Sequence, residues 1–189
     1  AALKNPRDRP GKVVPVAASI PEGGCPDGMR TVAAGTFRMG TSGDDPMRGF
    51  DEPGITSAEV AAFCVDQYEY PNRRGVTPTV NVSWNDAKRL CEGKGKRLCT
   101  EVEWEKACKG PGNARFPYGH NFDPNACNTQ DEAGEDRQLA TSGQYAKCRS
   151  GYGVADLSGN IAEWTATPYA ANADKTLKGG AFARPDYAA

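Results

Sequence analysis

The stretch Gly151-Tyr-Gly-Val-Ala-Asp-Leu-Ser-Gly-Asn-Ile-Ala-Glu-Trp164 packs two carboxylates, a glycine turn and a large aromatic into one short irregular segment, so the chain must adopt a fold that holds a loop in place. Gly159-Asn160 favours a tight turn, which lets Asp156, Glu163 and the carbonyls between them face one point. That arrangement suits a hard cation. Calcium takes about six to eight oxygens in flexible geometry and accepts backbone carbonyls as readily as carboxylates. The same residues admit a plainer reading: a turn in which Asp156 caps its own backbone, Glu163 pairs with a surface cation and Trp164 joins the core. No dense Asp/Asn ladder of the EF-hand kind is present.

Seven cysteines, at Cys25, Cys64, Cys91, Cys99, Cys108, Cys127 and Cys148, include no Cys-x-x-Cys pair, and His120 is the single histidine. Zinc sites and thioredoxin-type chemistry are therefore not expected. Scattered cysteines suit a disulfide framework made in an oxidising compartment, which places the protein outside the cytoplasm, in the periplasm, at the cell surface or secreted. Cys127 and Cys148 bracket a long coil and are expected to pair; Cys25, before the first strand, is paired with Cys64, near the end of the second. The odd count leaves one cysteine free or bonded outside this chain. At 189 residues and 38% hydrophobic, the chain can bury one core and hardly two. Its 22 glycines and 14 prolines point to many turns and little regular structure. A net charge of −1 with interleaved signs offers no field for nucleic acid, and no apolar run is long enough to span a membrane. Residues 1–24, with Pro6, Pro10, Pro15 and Pro21, read as a leader or linker before a domain over 25–189.

Met29 to Met39 reads as one strand bent at Gly35, and Glu59 to Tyr70 as a second. Ser83 with Asp86 marks the start of a short helix from Trp84 to Glu92 that stops at Gly93. Thr100 with Glu103 is a capping box opening a second helix, Glu101 to Lys109, with Trp104, Ala107 and Cys108 turned inward and Gly110-Pro111 ending it. Asn113 to Gly153 reads as mostly coil, and a coil of that length needs disulfides or ions to hold it.

Gly35-Thr-Phe-Arg-Met-Gly40, Val82-Ser-Trp-Asn-Asp-Ala87, Gly95-Lys-Arg-Leu-Cys-Thr-Glu-Val-Glu-Trp104, Phe116-Pro-Tyr-Gly119, Gly153 to Trp164 and Lys178-Gly-Gly-Ala-Phe182 follow one another in that order. Together they resemble the formylglycine-generating enzyme, or sulfatase-modifying factor, family from about Gly24 onward. The resemblance implies an α+β fold of C-type-lectin-like kind, with two short helices and short antiparallel strands. It also implies calcium in two irregular segments. In one, Asp156 and Glu163 supply side chains while Gly159 and Ile161 supply carbonyls; in the other, a shortened loop, Asn128 and Asp136 supply side chains and Thr129 and Gln138 carbonyls. Cys91 and Cys108 stand where family members bond to a C-terminal segment, so a further stretch beyond Ala189, or a second polypeptide, is expected to carry their partners.

The family's oxidases use a pair of cysteines that bind copper(I), which calls for thiolates. At the first of those positions this chain has Arg184, a hard permanent cation that cannot ligate copper(I). The second would lie beyond Ala189. Ala181 replaces the small hydroxyl residue after the double glycine, and Ala162 replaces the tryptophan of the Asn-x-Trp-Glu-Trp turn. The iron-dependent sulfoxide synthases of the superfamily need several histidines, and His120 is a surface residue by its turn context. The resulting expectation is an exported binding or structural module with no catalytic residues, braced by calcium and disulfides, whose protein or glycan ligand meets Phe182, Arg184, Asp186 and Tyr187. The rival readings are a copper-dependent oxidase acting on a sulfatase cysteine and a subunit of a larger surface assembly.

Overall fold

The computed structural model describes residues 20–46, 48, 52–169 and 175–183. Most of the proposed leader, and Arg184, Asp186 and Tyr187, lie outside the described residues. The first two expected strands are four. They are β1 (Met29–Val32), β2 (Gly35–Met39), β3 (Thr56–Val60) and β4 (Phe63–Asp66). β1 pairs antiparallel with β4, and β2 with β3, in separate two-stranded sheets. Gly35, at φ 137°, breaks one arm, so a single long hairpin turns a corner at its middle.

α1 (Trp84–Glu92) and α2 (Glu101–Lys109) have the expected bounds because both caps are local. The Ser83 and Thr100 hydroxyls accept from the backbone amides of Asp86 and Glu103, and those carboxylates return bonds to the cap backbones. α2 packs on β2 and β3 on one side and on β5 (Glu163–Pro168) and β6 (Lys175–Lys178) on the other. β5 and β6 pair antiparallel with an irregularity between Trp164 and Pro168. Val102, Trp104 and Ala107 enter a core with Val32, Phe37, Met39, Val60, Phe63, Val154 and Leu157. Cys108 is half-buried against it.

α2 also buries charge on its remaining faces. Lys106 Nζ donates to the Gly35 carbonyl at 2.7 Å, Glu105 Oε1 accepts from the Gly40 amide at 2.5 Å, and Arg97 forks onto Glu103 at 2.6 and 2.8 Å. Such burial is tolerated because each group meets a partner. These bonds fasten the bent hairpin to the helix.

From 110 to 162 the described chain has no helix and only isolated bridges. Disulfides Cys25–Cys64 and Cys127–Cys148 join β4 to the segment before β1 and close the long coil. Across 21 residues, the second bridge restricts the unfolded chain by roughly 3 kcal/mol. Replacing both Cys127 and Cys148 by serine should lower the unfolding free energy by about that amount, read from urea midpoints; a change under about 1 kcal/mol would show that the coil is held by other means.

Candidate metal centre

The loop between Cys148 and β5 is pinned from several directions. The Asp156 amide donates to the Cys148 carbonyl at 3.0 Å and the Ala155 amide to Gln67 O at 2.9 Å. Asp156 and Asn160 sit at φ 58°, a left-handed conformation that Asp and Asn adopt more easily than other side chains. A Cβ on Gly159 would lie 2.3 Å from the Asn128 carbonyl oxygen, so this contact leaves room only for glycine.

Asn160 is the hub. Its Nδ2 donates to both oxygens of Glu69, at 3.0 and 2.9 Å, and its Oδ1 accepts from Asn128 Nδ2 at 2.8 Å and from the Ala140 amide at 2.9 Å. Its own amide donates to the Asn128 carbonyl at 2.7 Å, and its carbonyl accepts from the Phe182 amide at 3.1 Å. The two segments expected to bind cations are thereby joined directly. The double-glycine segment closes over them, since the Gly159 amide also donates to Gly179 O at 2.6 Å.

Asp156 and Glu69 are buried and Glu163 is half-buried, and among the described residues none of the three forms an ion pair, although the Arg149 charge acts on Asp156. Asp156 Oδ2 accepts from the Gly143 amide at 2.6 Å, and Glu163 accepts from the indole of Trp104. Burial pushes the Glu163 carboxyl up to about 7, and Asp156 and Asp66 add repulsion. Burial pushes Glu69 up to about 8, followed by repulsion from Glu163. Desolvation likewise raises Asp156. Among the described residues no three His, Cys, Asp or Glu side chains form one metal-binding group, so an ion here would take carbonyls as well as carboxylates. Asn128 Oδ1 is buried with no hydrogen-bond partner. An orphaned buried amide oxygen is a donor that a hard cation such as calcium would satisfy.

Not every expected ligand is gathered. Asn128 and Thr129 are buried, and Asn128 Nδ2 bonds the Gln138 carbonyl at 2.9 Å. Asp136 is exposed and accepts from Gln130 Nε2 at 2.8 Å. Phe182 is tied by its backbone to Asn160 and to the Arg137 amide, so its place in the loop is fixed by main-chain bonds. Sequence reading missed Glu69, Ser142 and Gly143. The one signal available was an acidic residue set between Tyr68 and Tyr70.

The thiols of Cys91, Cys99 and Cys108 are free. Burial pushes Cys99 and Cys108 up to about 12 and raises Cys91 as well. Thiols held protonated are poor nucleophiles and poor ligands. His120 is exposed.

Residues 71–188 match the sulfatase-modifying factor enzyme 1-like domain. The chain belongs to that family. The sulfatase-modifying factor domain described here is 39% identical over 109 residues to the inactive C-alpha-formylglycine-generating enzyme 2 of Bos taurus, a match covering 53% of this chain and 36% of that protein. It is 38% identical over 105 residues to the formylglycine-generating enzyme of Thermomonospora curvata, covering 50% and 35%. The match thus spans only about a third of the length of these relatives. Among solved structures it is similar to PvdO from Pseudomonas aeruginosa, with a TM-score of 0.67, 21% identity and 84% of each chain covered. Treponema denticola variable protein 1 follows at 0.62 and 18%, covering 85% of this chain and 86% of that one. These two likenesses show the α+β fold of the family.

Glu69 and Glu163 have folded-state values above the ordinary 4.5 for a glutamate, so the folded protein binds more protons than the unfolded one between that value and about 7 to 8. Stability from these groups is present below about pH 4.5 and is lost as pH rises through about 7 to 8. In chelator the melting temperature should therefore fall from about pH 5 to about pH 8. A rise across that window would contradict the buried, unpaired state of both carboxyls.

Proposed function

We propose that this domain is an extracytoplasmic, non-catalytic binding or structural module of the sulfatase-modifying factor superfamily, braced by disulfides and by calcium. The observation that carries the non-catalytic reading is Arg184, which stands where the family's oxidases have their first active-site cysteine. Copper(I) calls for a thiolate at that position, which a guanidinium does not supply, so no oxidase step is derived. An inactive form among the similar relatives supports the same reading. The two disulfides support a location outside the cytoplasm.

Calcium would be held by Asp156 and Glu163 with the Gly159 and Ile161 carbonyls, and in the neighbouring segment by Asn128 with the Thr129 and Gln138 carbonyls and Asp136. The ion would supply positive charge to a loop in which three acidic side chains lie close enough to repel one another. A further polypeptide segment bearing cysteines would bond Cys91 and Cys108. Two observations favour this. α1 is amphipathic yet has no buried residue, and Cys91, Leu90 and Ala87 on it line a cavity of about 730 Å³ with Trp104 and Trp164. The protein or glycan ligand would meet Phe182, Arg184, Asp186 and Tyr187, next to the double glycine.

Two measurements test this reading. Chelator should lower the melting temperature and added calcium should restore it, by mass action; an unchanged melt removes calcium from the proposal. With copper(I), oxygen and a cysteine-containing sulfatase peptide, no aldehyde product should form. Turnover, or tight thiolate-type copper binding, would make the domain an oxidase.

A further inference from the structure

Glu69 lies in the turn after β4 and is 4% exposed. Each group bonded to its carboxylate is a donor: Asn160 Nδ2 to both oxygens, and Ser142 Oγ to one at 2.8 Å. These donors favour the acceptor-only, ionised form, against the burial and repulsion that push the carboxyl up to about 8. They are neutral dipoles, however, and do not cancel a buried charge. Among the described residues no ammonium or guanidinium pairs with Glu69 or Glu163. The charges that act on Glu69 are those of Glu163 and Asp156, both repulsive. The loop thus gathers acidic groups around an amide hub, where a nearby cation would be favourable.

Asn160 connects Glu69 to the ligand set. Its side chain is clamped by Glu69 and Ala140, and its sequence neighbours Gly159 and Ile161 supply the candidate carbonyls. Holding Asn160 in its left-handed conformation fixes where those carbonyls point. Glu69 itself forms no metal-binding group with the other carboxylates. Its effect is exerted through Asn160 and through space.

We propose that Glu69 is the outer carboxylate of the Asp156–Glu163 loop, a positioning residue that sets the affinity of the loop for calcium through its bonds to Asn160 and the negative charge it carries opposite a bound ion. This rests on the calcium reading above. The chemistry is that of a second layer around a metal, where a buried anion strengthens and orients the ligands it does not join. A doubly charged ion gains more from that charge than a singly charged one, so the same residue favours calcium over sodium.

The test is calcium titration by calorimetry, with thermal melts in chelator and in calcium, on the full chain and on Glu69→Gln, Glu69→Asp and Ser142→Ala. In chelator above about pH 8, where Glu69 is ionised, Glu69→Gln should melt at or above the parent, because a repulsion is gone. In calcium it should bind at least about tenfold more weakly and lose much of the calcium-induced rise in melting temperature. Glu69→Asp and Ser142→Ala keep the charge and should bind within about threefold of the parent. A purely structural glutamate would instead lower stability equally with and without calcium, and that result overturns the proposal. If the parent binds calcium and Glu69→Gln binds it equally well, the role of Glu69 falls while the calcium reading stands; if the parent binds none, both fall. Should Glu69→Gln fail to fold, a tenfold loss in either charge-preserving variant would show that charge is not the cause and would overturn the proposal.

Discussion

A single buried amide ties the irregular half of this domain together. Asn160 uses its side-chain and main-chain groups to reach Glu69, Asn128, Ala140 and Phe182, and each of those residues belongs to a different stretch of loop. Loops of this length have no ladder to define their path, so their positions are set by side-chain bonds whose alternative is an unsatisfied buried group. The close approach of Gly159 to the Asn128 carbonyl follows from the same requirement. Glycine lets the two segments touch, and Asn160 then has both within reach.

The regular half depends on α2 in a comparable way. A helix wedged between two small sheets cannot keep a solvated polar face, and here the buried charges are used as fasteners. Lys106 and Glu105 bind backbone groups at the corner of the hairpin, while Lys178 of β6 sits 3.6 Å from Glu105 and 3.9 Å from Glu101. Trp104 joins the halves, with its ring in the core and its indole N–H on Glu163. The carboxylate that opens β5 is thereby both a structural acceptor and the edge of the candidate cation loop.

What the sequence made legible is what is decided locally. Both helices could be bounded from Ser83 with Asp86 and Thr100 with Glu103, because a capping box is complete within four residues. The Cys127–Cys148 bridge could be inferred because its cysteines bracket a coil with no helix or ladder of its own. The bend at Gly35 was legible, but the division of each long strand between two sheets was not, because it depends on packing against Lys106 rather than on the local pattern. β5 escaped notice because an irregular ladder ending at Pro168 shows no alternation. Glu69 was invisible as a site residue for a similar reason. Its partners, Ser142 and Asn160, are distant in sequence, and only the fold makes it a neighbour of Glu163.

The bond between Glu69 and Asn160 spans 91 residues, and that between Trp104 and Glu163 spans 59. Contacts of such range form only after much of the chain has already lost its freedom, so they reward folding late. Until those contacts close, nothing but local turns directs the coil from 110 to 162, and Cys127 and Cys148 are free to meet other cysteines. Correct pairing of the sulfurs then depends on the polar hub closing first, or on repeated exchange until it does. The asparagine that organises the finished loop acts in this sense as a proofreading step for the covalent framework around it.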